Sequence, residues 1–243
     1  MIVKTKAIVL KKIPYGDSSL IVQLFTEQLG RQSVIIKGCR SQKTKAKVAL
    51  FQPSTLLKCE FSFKEKNKLH PLQEVNIDTA YKFLYSDISK TSVAVFLCEL
   101  ITRSIKEEEP QIDVFQFIHQ SFTHIDDTEN NIANFPLFFM LKLLPYLGFK
   151  PGENYSSETP FFNIREGVFM PVYTTDYDTC SQNSSHILFQ LMQANISNYQ
   201  NIKIQNSQRA ELTQKMLNYY NIHIESFGNL KSLQILHEVL NSN

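Results

Sequence analysis

The sequence predicts an α+β multidomain protein, with a small all-β barrel over residues 1–80 and an all-α domain over residues 81–243. Three observations carry that division. The first 80 residues break into short β-branched and aromatic runs separated by Gly, Pro and Asp turns, whereas from residue 81 the apolar residues fall at helical spacing. Net charge also changes sign at this point. Residues 1–80 hold 14 Lys and Arg against 6 Asp and Glu, a net of +8, and residues 81–243 hold 11 against 17, a net of −6, which the whole-chain value of +2 conceals. A basic domain joined to an acidic one implies that the first handles a polyanion.

The strands follow in order. "TKAIVLKKI" leads through the turn "PYGDSS" into "LIVQLFT", and after the break "EQLGR" comes "QSVIIKG". Gly30 and Gly38 bracket this third strand, where turns call for positive φ. "STLLKCEFSF" sets Leu56, Lys58 and Glu60 against Leu57, Cys59, Phe61 and Phe63, the period of two of a half-buried strand, and "LHPLQEVNI" completes a set of five. Among small all-β folds, the five-stranded OB barrel is the one that presents a basic groove to single-stranded nucleic acid.

The helices begin with "DISKTSVAVFLCELITRSI", capped by Asp87 or Ser86 and ended by "EEEP". "DVFQFIHQSFTHI" is the second, with Asp113 as N-cap. "NIANFPLFFMLKLLPYLGF" is the most apolar segment, and its 19 residues, with Pro136 near the start and Pro145 near the end, read as a central core helix closed by Gly148 rather than a membrane span. A hairpin through "PFFNIREGVFMP", near 160–172, precedes three more helices in "SSHILFQLMQAN", "SQRAELTQKMLNYYNIH" and "LKSLQILHEVLNS".

Catalytic chemistry finds no foothold. There is no nucleophile elbow and no phosphate-cradling glycine loop. His119 and His124 in "HQSFTHIDD" are five apart, which does not align them on one helical face, so a polar helix end is the better reading than a metal site. "KEEEP" reads as a solvated helix terminus. Cys39, Cys59, Cys98 and Cys180 lie 20, 39 and 82 residues apart, a spacing that fits neither a disulfide framework nor paired zinc ligands, and points to a reducing, cytoplasmic setting. No export signal and no transmembrane run are visible.

The basic stretch "KGCRSQKTKAK", residues 37–47, places Lys37, Arg40, Lys43, Lys45 and Lys47 in eleven positions with no acid among them. On composition alone it could be a solvated loop. The surrounding excess, to which Lys11, Lys12 and Arg31 belong, favours phosphate binding, since a domain carrying +8 gains from releasing counterions when it meets a polyphosphate. Tyr15, Phe25, Phe51, Phe61 and Phe63 are candidate platforms for bases in the same half.

With these residues laid out, the chain resembles the bacterial recombination-mediator family RecO along nearly its whole length. "AIVLKKIPYGDSSLIVQLFTEQLGRQSVIIKGCRS" is similar to that family's opening, including a "KG.R" segment at the end of strand three that Lys37, Gly38 and Arg40 match. "LFQPSTLLKCEF", "FPLFFMLKLLPYLGFKP" and "FGNLKSLQILHEVL" resemble its fourth-strand region, central helix and closing helix. The resemblance implies an N-terminal OB fold and a C-terminal helical domain without catalytic activity. It further implies binding of single- and double-stranded DNA, annealing of complementary strands and, with RecR, loading of the RecA recombinase on DNA covered by single-strand-binding protein, at the nucleoid during repair.

The same resemblance makes Arg40, Lys43, Lys45 and Lys47 the expected phosphate contacts. It also places the acidic, apolar tail of single-strand-binding protein on the helical domain, at a local basic spot drawn from Arg103, Lys106, Lys142 and Arg209. Many members of the family carry a four-cysteine zinc module after "GF.P", but "GENYSSETPFFNIREGVF" has no cysteine, so no metal or other cofactor is expected. A rival reading is an RNA-binding OB protein of ribosome or tRNA metabolism; a hydrolase assembled from scattered residues is a third.

Overall fold

The computed structural model describes residues 1–39, 48–174 and 178–241, residue 241 by its backbone alone. Five strands form a closed barrel: β1 (Ile2–Tyr15), β2 (Ser19–Thr26), β3 (Gly30–Ile36), β4 (Leu56–Ser62) and β5 (His70–Thr79), in the order β1-β2-β3-β5-β4. This is the OB fold that the strand pattern predicts. β1 is long enough to serve twice, its first half pairing with β4 and its second half with β2, and the register shifts between Val9 and Lys11 where one partner gives way to the other. The β3–β5 pairing is parallel, with Val34 opposite His70 and Ile35 opposite Pro71.

Period-two alternation fills the barrel. Val22 and Leu24, Val34 and Ile36, and Leu57, Cys59 and Phe61 converge with Phe51 and Val75 in one buried cluster. Their neighbours Ile21, Gln23, Ser33 and Ile35 therefore point outward, and each is half-buried.

Two helices complete the first compact unit, Met1–Asp127. The change from strand to helix near residue 80 and the end of this unit at 127 are different boundaries, because α1 (Ile88–Ser104) and α2 (Ile112–Asp127) pack on the barrel. Asp87 caps α1 by accepting a bond from the Lys90 N–H. Asp113, expected at the N-cap of α2, lies instead in its first turn, the helix beginning at Ile112. Phe115 of α2 meets Phe25 of β2 at 6.0 Å between ring centroids. Gly30 has φ +59, and a Cβ there would run into the backbone carbonyls of Glu107 and Glu109, so only glycine lets β3 start against the segment that leaves α1.

Asp126 ties the chain between barrel and helices. Its carboxylate accepts backbone N–H bonds from Lys82 (2.9 Å), Phe83 (2.8 Å) and Leu84 (2.7 Å).

The second unit, Thr128–Asn243, is built on α3 (Phe135–Leu143), in which every residue but Lys142 is buried. The apolar segment expected as one 19-residue helix is shorter. Pro145 cannot donate to the helical ladder, and the chain tightens into a 3-10 turn over Leu144–Leu147 that Gly148 ends at φ 82. Against α3 pack α4 (Gln182–Gln193) and α5 (Asn206–His223), and α6 (Ser232–Asn241) follows them in the chain. The hairpin β6 (Phe161–Asn163) and β7 (Val168–Met170) occurs where the sequence suggests it.

Candidate nucleic-acid interface

The outer face of β2 and β3 is divided by what covers it. Toward the start of β3, Phe25 is packed under α2 and Arg31 is bound to the end of α1. Toward the end of β3, Ile21 and Ile35 stand opposite each other, both half-buried. Here the β1–β2 turn, with Tyr15 exposed at 53%, meets the chain leaving β3, since the Cys39 N–H donates to the Ser18 carbonyl at 2.6 Å. After residue 47 the chain returns to the same turn's base, where the Lys12 ammonium donates to Gln52 at 3.1 Å. Arg40, Lys43, Lys45 and Lys47 fall between these two ends and lie outside the described residues.

The remaining predicted cations separate by partner. Lys11 and Lys37 are exposed, and Lys12 is half-buried on Gln52. Arg31 is engaged within the protein. Its guanidinium donates from one nitrogen to the Thr102 and Ile105 carbonyls, both at 3.0 Å, closing the C-terminus of α1. Burial pulls its pKa down against the opposing pull of Glu108 and Glu107. An arginine held at a helix end is less available to phosphates than an exposed one. We therefore expect Arg31→Ala to lower stability by about 2–3 kcal/mol in urea unfolding while leaving the salt dependence of nucleic-acid binding unchanged, and Arg31→Lys to restore little because an ammonium lacks the planar fork.

Acids neutralise another part of the excess. Lys4 pairs with Glu60 at 2.6 Å, and Lys58 and Lys6 reach the Asp78 carboxylate at 3.2 and 3.8 Å. His119 meets that same carboxylate at 3.0 Å. Burial would raise the Asp78 pKa, but the His119 and Lys58 hydrogen bonds and the Lys6 charge outweigh it and hold the group below its ordinary value. His119 thus secures α2 to β5, while Asp126 serves the backbone, so "HQSFTHIDD" divides its polar groups between separate tasks. Among the described residues no group of three or more His, Cys, Asp or Glu is placed to hold a metal ion.

Of the five aromatic candidates only Tyr15 is open to solvent. Phe25, Phe51 and Phe61 are fully buried, and Phe63 packs against the barrel core and the His70 ring at 4.9 Å. In a barrel this small, inward-facing aromatics are needed as filling.

Sequence reading missed three lysines. Lys64, Lys66 and Lys68 lie in the turn joining β4 to β5, all exposed, and none forms an ion pair among the described residues. The signal was present in "KEKNK", but a lysine-rich turn between two strands reads as ordinary solvation, and the parallel pairing of β5 with β3 directs this turn toward the start of β3.

The partner candidates are split between the two units. Arg103 occupies the last turn of α1 and Lys106 is exposed just beyond it. In the second unit, the Lys142 ammonium donates to the Met192 carbonyl at 2.7 Å near the end of α4. Arg209 is braced by Asn134 (3.0 Å), Asn206 (2.8 Å) and the Ile204 carbonyl (3.0 Å), beside Lys203 in a polar cleft of about 510 Å³. In the cysteine-free segment after Gly148, Asn154 pairs with both the N–H and the carbonyl of Phe169, at 3.0 and 2.8 Å, and Tyr155 stacks on Phe189.

Two family models divide the chain between them. The one described as recombination protein O N terminal matches residues 1–81, and the one described as recombination protein O C terminal matches residues 85–234. This chain belongs to the RecO family. RecO relatives match it end to end: the protein named DNA repair protein RecO in Flavobacterium psychrophilum is 34% identical over 98% of this chain and 99% of its own length. Those of the same name in Christiangramia forsetii and Bacteroides fragilis are 33% and 30% identical, again over 98% of this chain and 99% of their own. The two RecO matches meet between residues 81 and 85, where the strands give way to helices. No helix among the described residues is long and apolar enough to cross a membrane.

Proposed function

We propose that the protein acts in DNA repair and homologous recombination as a non-catalytic mediator in the cytoplasm, at the nucleoid when repair is under way. It binds single- and double-stranded DNA, anneals complementary strands and, together with RecR, helps load the RecA recombinase on DNA coated by single-strand-binding protein. The single observation that carries this reading is the open end of the β2–β3 face. Tyr15 is exposed there, Lys37 follows the last residue of β3, and the lysine-rich stretch leaves and rejoins the barrel beside it. An aromatic platform next to concentrated positive charge suits a polyphosphate backbone with its bases unstacked. Membership of a family whose relatives are named for DNA repair supports DNA over RNA as the polymer.

The domain division that follows is an OB domain over residues 1–80 that grips the nucleic acid and a helical part over 81–243 that meets protein partners. Lys11, Lys12 and Lys37 join Arg40, Lys43, Lys45 and Lys47 as phosphate contacts. For the acidic tail of single-strand-binding protein, Arg209 is the best placed of the four partner candidates, because Lys203 lines the same cleft. Strand annealing tests the whole. Complementary DNA oligonucleotides coated with single-strand-binding protein should anneal faster with the protein than without it. No acceleration, alongside activity on complementary RNA, would favour the ribosomal or tRNA reading.

A further inference from the structure

The hairpin of β6 and β7 is two strands of three residues each, too small to hold itself together in water. Its turn is set locally: the Asn163 side chain accepts from the Arg165 and Glu166 N–H groups at 2.9 and 3.0 Å, and Gly167 takes φ +70. Phe162 and Phe169 stand opposite each other at its centre, both buried, with ring centroids 5.0 Å apart. The backbone groups of this central pair all find partners outside the two strands. On the β7 side the Asn154 amide takes both, accepting from the Phe169 N–H at 3.0 Å and donating to the Phe169 carbonyl at 2.8 Å. On the β6 side the Ser185 hydroxyl of α4 accepts from the Phe162 N–H at 2.8 Å, and the Cys180 N–H donates to the Phe162 carbonyl at 2.8 Å. Both edges of the hairpin are closed.

The family resemblance implies a four-cysteine zinc site in this stretch, and the side chains present do not fit one. Cys180 is the single cysteine, wholly buried, and burial pushes its thiol up to about 12, away from the thiolate that zinc requires. Three further donors are engaged: Glu153 pairs with Lys150 at 3.0 Å, Asp178 with Arg165 at 2.7 Å, and the His186 ring shares a hydrogen bond with the Tyr155 hydroxyl at 3.1 Å. Aromatic packing ties the parts together instead. Tyr155 stacks on Phe189 of α4 at 4.8 Å and meets Phe169 edge-on at 5.3 Å, so the loop before β6, the hairpin and α4 share one cluster.

We propose that Asn154 and Ser185 form a clasp in place of a metal cross-link, one at each edge of the hairpin, so that this segment folds and stays folded without zinc. Ser185 is the stronger half. It is wholly buried, and loss of its hydroxyl leaves the Phe162 N–H without an acceptor, whereas Asn154 is exposed and water can replace part of what it supplies. Chelation or thiol oxidation, which opens a zinc–thiolate module, finds no point of attack in such a clasp.

Hydrogen exchange of the whole chain, read by NMR at the Phe162 and Phe169 amides, tests this. EDTA should leave both rates of the parent protein unchanged, and the purified protein should carry no stoichiometric zinc. Ser185→Ala should speed exchange at Phe162 roughly tenfold or more, and Asn154→Ala should speed it at Phe169 roughly fivefold, while amides in α3 keep their rates. Should Ser185→Ala fail to fold, Asn154→Ala and the EDTA measurement decide. Bound zinc whose removal speeds exchange at the two amides would overturn the proposal, as would variants in which both amides exchange at the parent rates.

Discussion

Changing Lys43, Lys45 and Lys47 together to Ala is expected to weaken binding to a single-stranded oligonucleotide roughly a hundredfold near 0.1 M salt. The reasoning is electrostatic. Each phosphate neutralised by a lysine releases a condensed counterion, worth about 0.7 in the log–log salt slope for a single strand and about 0.9 for a duplex, so three contacts change the slope by about two and about three respectively. A slope reduced by two corresponds to two decades of affinity for each tenfold step in salt below the point where the curves meet, taken as about 1 M. The expectation rests on charge and on where the chain leaves and rejoins the barrel, at Cys39 and Gln52. Fluorescence anisotropy with a labelled oligonucleotide, read at several salt concentrations, measures it directly. An unchanged slope would mean that the lysines are solvated surface and that phosphates are gripped elsewhere.

The largest effect on stability should come from Asp126→Ala, about 3–5 kcal/mol in urea unfolding. Three backbone N–H groups, of Lys82, Phe83 and Leu84, lose their acceptor at once, and Leu84 is wholly buried where water cannot replace it. Asp126→Asn should cost less, because an amide oxygen in the place of Oδ1 still accepts from Phe83 and Leu84. The pH dependence has a definite sign. Burial pushes the Asp126 carboxyl up, but the three N–H donors and the Lys90 charge outweigh that and hold it below its ordinary 3.8. On acidification the unfolded chain takes the proton first, so the stabilisation is full above about pH 5 and fades as pH falls through 3.8 and lower. The gap between the parent protein and Asp126→Ala should therefore narrow between pH 5 and pH 3. A gap independent of pH would show that the carboxylate's charge contributes nothing to the cap.

Much of the fold was legible because it depends on local periodicity. Val22, Leu24, Val34, Ile36, Leu57, Cys59 and Phe61 declare their inward faces by alternation, and Asp87 marks the start of α1 by its ordinary capping chemistry. Errors arose where a distant partner decides. Asp113 is a good N-cap residue, yet the first turn of α2 takes it in. Pro145 limits α3 to nine residues, although the apolar pattern runs on through Leu147.

For the candidate site, sequence alone determined that positive charge is concentrated before residue 80, that the segment from Gly152 to Phe169 holds no cysteine, and that Lys37 to Lys47 form an acid-free stretch. These are properties of composition and order, which folding cannot change. Which cations remain available is a property of the fold. Carbonyls 71 and 74 residues along the chain claim Arg31, Glu60 claims Lys4, and Asp78 claims Lys6 and Lys58. Charge is written residue by residue, but its neutralisation depends on partners that only the closed barrel and its packed helices bring within a few ångströms.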